Sequence, residues 1–122
     1  MGGNRSLSGR WGEVQVAQWL QRHRYRLLAS NWRCRFGEID LIATDGKYIC
    51  FTEVKLRKNA DFAQAREFVN RSKQQRIRTT AQLYLAQHPT DLQPRFDVAE
   101  VYAPQGEQTL RPEIIYLENA FE

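Results

Sequence analysis

A chain of 122 residues is the length of one domain, and 42% hydrophobic with 26% charged residues excludes a disordered or fibrous polymer. The formal charge of +4 suits a polyanionic partner without demanding one. Two cysteines, Cys34 and Cys50, are too few for a disulfide framework. No stretch is long and apolar enough to span a bilayer or reads as a signal peptide, so a reducing, cytoplasmic setting is expected.

Residues 1–7 read as a flexible tail. A helix is predicted from about Ser8 to His23, with Val16, Ala17 and Leu20 repeating at helical spacing. Glu13 lies four before Ala17 and seven before Leu20, so it shares that apolar stripe. A carboxylate there is either a salt bridge at the edge of the core or a member of a site. A short strand follows, Tyr25 to Ser30. Then come Arg33 and Arg35, interleaved with Trp32 and Phe36. Arginine beside aromatic rings makes a plausible nucleic-acid surface, or a solvated rim with Trp32 in the core.

Residues 36–57 read as one β-hairpin. Gly37-Glu38-Ile39-Asp40-Leu41-Ile42-Ala43 and Phe51-Thr52-Glu53-Val54-Lys55 flank an Asp45-Gly46 turn. A two-residue loop sets Asp40 opposite Phe51, Glu38 opposite Glu53 and Cys50 opposite Leu41. Successive strand residues point to opposite faces, so Glu38, Asp40, Glu53 and Lys55 share one face. Asp40 and Glu53 become diagonal neighbours, with Cα atoms roughly 7–8 Å apart. Like charges opposed on a half-buried face are destabilising. A divalent cation would remove the conflict, since carboxylates, water and the Val54 carbonyl are what Mg²⁺ or Mn²⁺ takes. Lys55 reaches the same spot and suits orienting a water or offsetting developing charge.

Residues 57–70 read as a loop beside this face, with Arg57 and Lys58 as candidate phosphate contacts. A second helix is predicted from Ser72 to Gln87, capped by Ser72 and closed by Pro89. Its apolar stripe is Ile77, Ala81, Tyr84 and Leu85. Arg71, Lys73, Arg76 and Arg78 load its first turns with charge that opposes the helix dipole, which an anionic partner would relieve. Two strands close the chain, Arg95–Tyr102 and Glu113–Leu117. Asp97 is read as an arginine partner or strand cap in preference to a site acid. No Cys/His cluster has zinc spacing, and neither a phosphate-cradling glycine loop nor a nucleophile elbow is present.

Asp40 and, thirteen positions on, Glu53-Val54-Lys55 resemble the PD-(D/E)XK nuclease superfamily. The longer run G-E-I-D-L-I-A, the D-G turn, F-T-E-V-K, the later R-F-D-V and the final N-A-F resemble its bacterial YraN branch, which is similar in layout to Holliday-junction resolvases. The likeness runs from about Gly9 to Phe121; Ile39, where the superfamily pattern has proline, is a departure. The resemblance implies an α/β, restriction-endonuclease-like fold: a small mixed sheet of about five strands with helices on both faces. It implies that Glu13 reaches the metal site from its helix and that Lys73 lines it.

Two functions are therefore expected. The first is a Mg²⁺- or Mn²⁺-dependent endonuclease acting on DNA, with Asp40, Glu53, Lys55 and Glu13 as catalytic residues. Asp40, Glu53, Val54 and Glu38 would serve the metal, and Arg33, Arg35, Arg57, Lys58, Lys73, Arg76 and Arg78 the nucleic acid. The second is a non-catalytic nucleic-acid-binding or partner-recruiting module on a nuclease-derived fold. A homodimer is implied only by the resolvase likeness.

Overall fold

The computed structural model describes residues 7–58 and 69–122. The α-helices and strands among the described residues are, in chain order, α1 (Leu7–Arg22), β1 (Arg26–Cys34), β2 (Gly37–Thr44), β3 (Tyr48–Arg57), α2 (Arg71–Gln87), β4 (Gln93–Tyr102) and β5 (Glu113–Phe121). The strands form one mixed sheet in the order β1-β2-β3-β4-β5. Every neighbouring pair is antiparallel except β3 and β4, which run parallel. A parallel pair needs a crossover, and α2 lies within it. The expected α/β architecture, five strands and two flanking helices, is what the chain adopts. The predicted tail falls almost wholly outside the described residues, as do residues 59–68 of the predicted 57–70 loop.

The two faces bury separate cores. Val16 and Leu20 of α1 pack on Leu41, Ala43, Ala99 and Val101. Ile77, Ala81 and Tyr84 of α2 pack on Ile39, Ile42, Ile49, Phe51 and Val98. Each large aliphatic or aromatic side chain removed from water contributes about 1.5–3 kcal/mol, so these layers fix which face each strand residue takes. Trp32 joins the α2 core, edge-on to Tyr84 at 5.2 Å between ring centroids. It is thus partly buried against the core, the second of the two readings the sequence offered.

The hairpin register differs from the two-residue reading. Thr44 pairs with Ile49, Ile42 with Phe51 and Leu41 with Thr52. Four residues, 45–48, lie inside the Thr44–Ile49 pair. The Asp45 carboxylate accepts from the amides of Lys47 (2.9 Å) and Tyr48 (2.8 Å), and Thr44 Oγ1 donates to the Tyr48 carbonyl (2.7 Å). These side-chain bonds widen the turn and shift the pairing by two residues. Because the shift is even, residues 41–44 and 49–52 keep their faces; Ile39, which alternation would place with Leu41, packs instead with Ile42 in the α2 core. Cys50 therefore lies opposite Ala43 instead of Leu41, and both cysteines are free thiols.

Three further boundaries move. Asn70, not Ser72, caps α2: its side chain accepts from the Lys73 amide at 2.9 Å. β1 extends to Cys34 through Asn31, whose positive φ of 53° interrupts regular alternation. β5 runs past Leu117 to Phe121, turning through Asn119 at φ 53°. No helix among the described residues is long and apolar enough to cross a membrane.

Candidate active site

The regular β2–β3 ladder ends at Leu41–Thr52, and the next residues on the two strands are Asp40 and Glu53. There the pairing changes character. Asp40 Oδ2 accepts the Val54 amide at 2.8 Å, so a side chain takes an amide of the neighbouring strand. Asp40 and Glu53 are each only 8% exposed, and both line one cavity of about 310 Å³ with Glu38, Gly37, Val54, Lys73, Arg76 and Ile77. Continued by one step, the observed register sets Asp40 across from Glu53, where the narrower turn made them diagonal neighbours.

The electrostatics follow from that crowding. Burial pushes the Glu53 carboxyl above the usual glutamate value, and the Asp40 charge pushes it further. Lys73 and Lys55 pull it back. Lys73 reaches down from the first turn of α2, placing its Nζ 2.5 Å from Glu53 Oε2. Helix capping by Asn70 and the strand pair below therefore position one ammonium on one buried carboxylate.

A raised folded-state pKa means that the folded protein binds the Glu53 proton more tightly than the unfolded chain. The stability this contributes is complete below the ordinary value of 4.5 and is lost as pH rises through the raised value. Urea denaturation of metal-free protein from pH 4.5 to neutrality should show wild type losing stability relative to Glu53→Gln. Parallel curves for the two would contradict this.

The donors fit a hard divalent cation. Two buried carboxylates repel each other and attract positive charge, and Lys73 already answers that attraction. Among the described residues no three Asp, Glu, His or Cys side chains form a ready metal cage. Mg²⁺ needs none, since it commonly takes one or two carboxylates and completes its octahedron with water and phosphate oxygens.

The profile of "Uncharacterised protein family UPF0102" matches residues 12–101. That span holds both strands of the acidic hairpin, α2 and nearly all of β4. The chain belongs to the UPF0102 family. It is 42% identical over 121 residues to a UPF0102 protein of Acetivibrio thermocellus, covering 97% of this chain and 93% of that one. A UPF0102 protein of Geobacter metallireducens is 41% identical over 120 residues, covering 98% and 94%. One from Caldanaerobacter subterraneus is 40% identical over 119 residues, covering 97% of each. UPF0102 is the family that the YraN-like motifs indicated.

The remaining expected residues distribute unevenly in this UPF0102 protein. Glu38 lines the cavity, but it pairs with Arg33 across β1 (3.3 Å) and does not oppose Glu53. Lys55 follows Glu53 on β3, near enough for its charge to act on that carboxyl. Glu13 is buried on α1 and lines a different cavity of about 340 Å³, with Arg10, Asn31 and Leu41 among its neighbours. Arg76 lines the acidic cavity. Lys58 is exposed.

Two of the cations assigned to nucleic acid are engaged elsewhere. The Arg57 side chain is only 14% exposed and pairs with Glu100 at 3.4 Å, because β4 runs beside β3. Arg78 donates to the Glu122 carbonyl and lies over the Phe121 ring, drawn to the chain's end. Asp97 is an arginine partner, as read, bound to Arg95 at 2.9 and 3.0 Å. Gly37 carries no chemical signal in the sequence, yet it shapes the cavity. Its φ is 154°, and a Cβ there would sit 3.2 Å from Thr80 Oγ1. Its bare backbone lets the start of β2 lie close on α2.

Proposed function

We propose that this protein is a Mg²⁺- or Mn²⁺-dependent endonuclease that hydrolyses DNA phosphodiester bonds. The observation that supports it is the pair Asp40 and Glu53, side by side and buried at the end of a ladder, with two lysines acting on Glu53. A fold under no other demand gains nothing from that pair. Asp40, Glu53 and the Val54 carbonyl would hold the cation, with Glu38 as an outer ligand; Glu13, which lines the other cavity, takes no part. When bound, the cation supplies Lewis acidity and a more acidic water. Lys55 would orient the attacking water and offset charge gathering on the phosphate. Lys73 and Arg76, on the opposite wall, would hold the substrate's phosphate oxygens. Arg33, Arg35 and Lys58 would extend that contact along the backbone.

The test is cleavage of branched, flapped and linear DNA with Mg²⁺ or Mn²⁺, against the same reactions with the metal chelated. Cleavage that requires the metal and fails in Asp40→Asn is the expected result. Equal behaviour of wild type and Asp40→Asn would leave a binding module without catalysis.

A further inference from the structure

Beside the acidic cavity, and sharing Arg76 with it, lies a second cavity of about 330 Å³. Its other lining residues are Phe36, Ser72, Gln75 and Thr79. Phe36 is 38% exposed; the other exposed large hydrophobic residues described, Val14, Leu56 and Leu110, are aliphatic. A single exposed ring is ordinary on a protein surface. This ring differs in being held and in lining a cavity with Ser72, Gln75, Arg76 and Thr79.

Cys34 pairs with Gly37, so Arg35 and Phe36 form a two-residue hairpin loop. The Phe36 amide donates to Cys34 Sγ at 3.3 Å, and Cys34 Sγ donates to Thr80 Oγ1 on α2 at 3.8 Å. The close approach of Gly37 to Thr80 seats the same turn on the helix. The Arg35 guanidinium lies 4.8 Å from the ring centroid. The result is a preset platform: an aromatic wall, hydroxyl, amide and guanidinium groups in the same lining, and a second guanidinium, of Arg35, over the ring.

A flat ring that also carries hydrogen-bonding edges and an attached anion satisfies every part of that lining. We propose that the Phe36 cavity takes one unpaired nucleobase of a strand whose phosphate enters the Asp40–Glu53 cavity. Bases within a duplex already spend their faces on each other, whereas an unpaired base can stack on a protein ring. The substrate class is therefore DNA with unpaired nucleotides at the cleaved strand: a flap, a fork or a single strand. The placing of the phosphate rests on the nuclease reading; the base site does not.

The experiment is a binding titration of the full chain in chelator, without metal. Its probes are 2-aminopurine oligonucleotides of one length: single-stranded, flapped and blunt duplex. Wild type should bind the single-stranded and flapped probes about 10-fold more tightly than the duplex, with quenching of the fluorophore. In Phe36→Ala that ratio should fall to near one, and in Phe36→Trp it should persist. Thermal midpoints of both variants report that they fold. Equal affinity for all three probes, no binding to any, or a preference untouched in Phe36→Ala would overturn the site. A Phe36-dependent preference without metal-dependent cleavage would sink the nuclease reading alone, and cleavage without that preference would sink the base site alone.

Discussion

Replacing Asp97 with asparagine should lower the folding free energy by about 3–5 kcal/mol, the cost of leaving one member of a buried ion pair without its partner. Asp97 is fully buried and Arg95 is 7% exposed. The guanidinium gives Asp97 a two-pronged bond, with Nε to Oδ1 at 2.9 Å and Nη2 to Oδ2 at 3.0 Å. The carboxylate also accepts the Tyr116 hydroxyl at 2.6 Å and the Asn119 amide at 2.9 Å. It thus joins β4 to β5 where Asn119 departs from regular strand geometry. Burial, and then the Asp97 charge, hold the Tyr116 phenol protonated well above its usual range. The nearest other anion for Arg95 is Glu118, 3.7 Å from Nη1 and 60% exposed, where solvent screens it.

Urea midpoints at unchanged slope are the measurement. Adding Arg95→Met to Asp97→Asn should recover part of the loss, because no buried charge is then stranded. A loss under about 1 kcal/mol for Asp97→Asn would mean that solvent reaches the pair.

The second large effect falls on activity. Asp40→Asn should slow metal-dependent cleavage by about 100-fold or more, the scale seen when one preorganised charge-stabilising group is removed. Its effect on stability should be small. An asparagine oxygen can still accept the Val54 amide that Asp40 accepts at 2.8 Å, while the charge facing Glu53 disappears. Loss of activity with an unchanged urea midpoint separates a chemical role from a structural one. Loss of both together would make Asp40 a fold residue first.

Apart from Ile39, the faces of the hairpin were legible because strand alternation survives any even slip. Asp45 widened the turn through its own side chain, an effect a dipeptide rule for Asp-Gly does not contain, yet Asp40 and Glu53 stayed on one side. The α2 stripe was legible for the same reason: Ile77, Ala81 and Tyr84 repeat at helical spacing and are buried. The helix start was ambiguous, since Asn70 and Ser72 are both good caps and only the backbone selects between them.

The basic residues were harder. The carboxylate that holds Arg57 is 43 positions away and the carbonyl that holds Arg78 is 44 away, so nothing local marked them as occupied. Arg95 and Asp97, two apart on one strand face, could be paired by eye. Glu13 shows the limit of an apolar stripe. It put the acid on the buried side of α1, as found, but did not say which cavity it would line.

The central claim is that Asp40 and Glu53 hold a divalent cation between them. Calorimetric titration of the full chain with Mn²⁺, without DNA, tests it most directly. Wild type should bind with measurable heat, and Asp40→Asn and Glu53→Gln should each bind at least about 10-fold more weakly. Equal Mn²⁺ affinity in all three proteins, or no binding in wild type, would contradict the account.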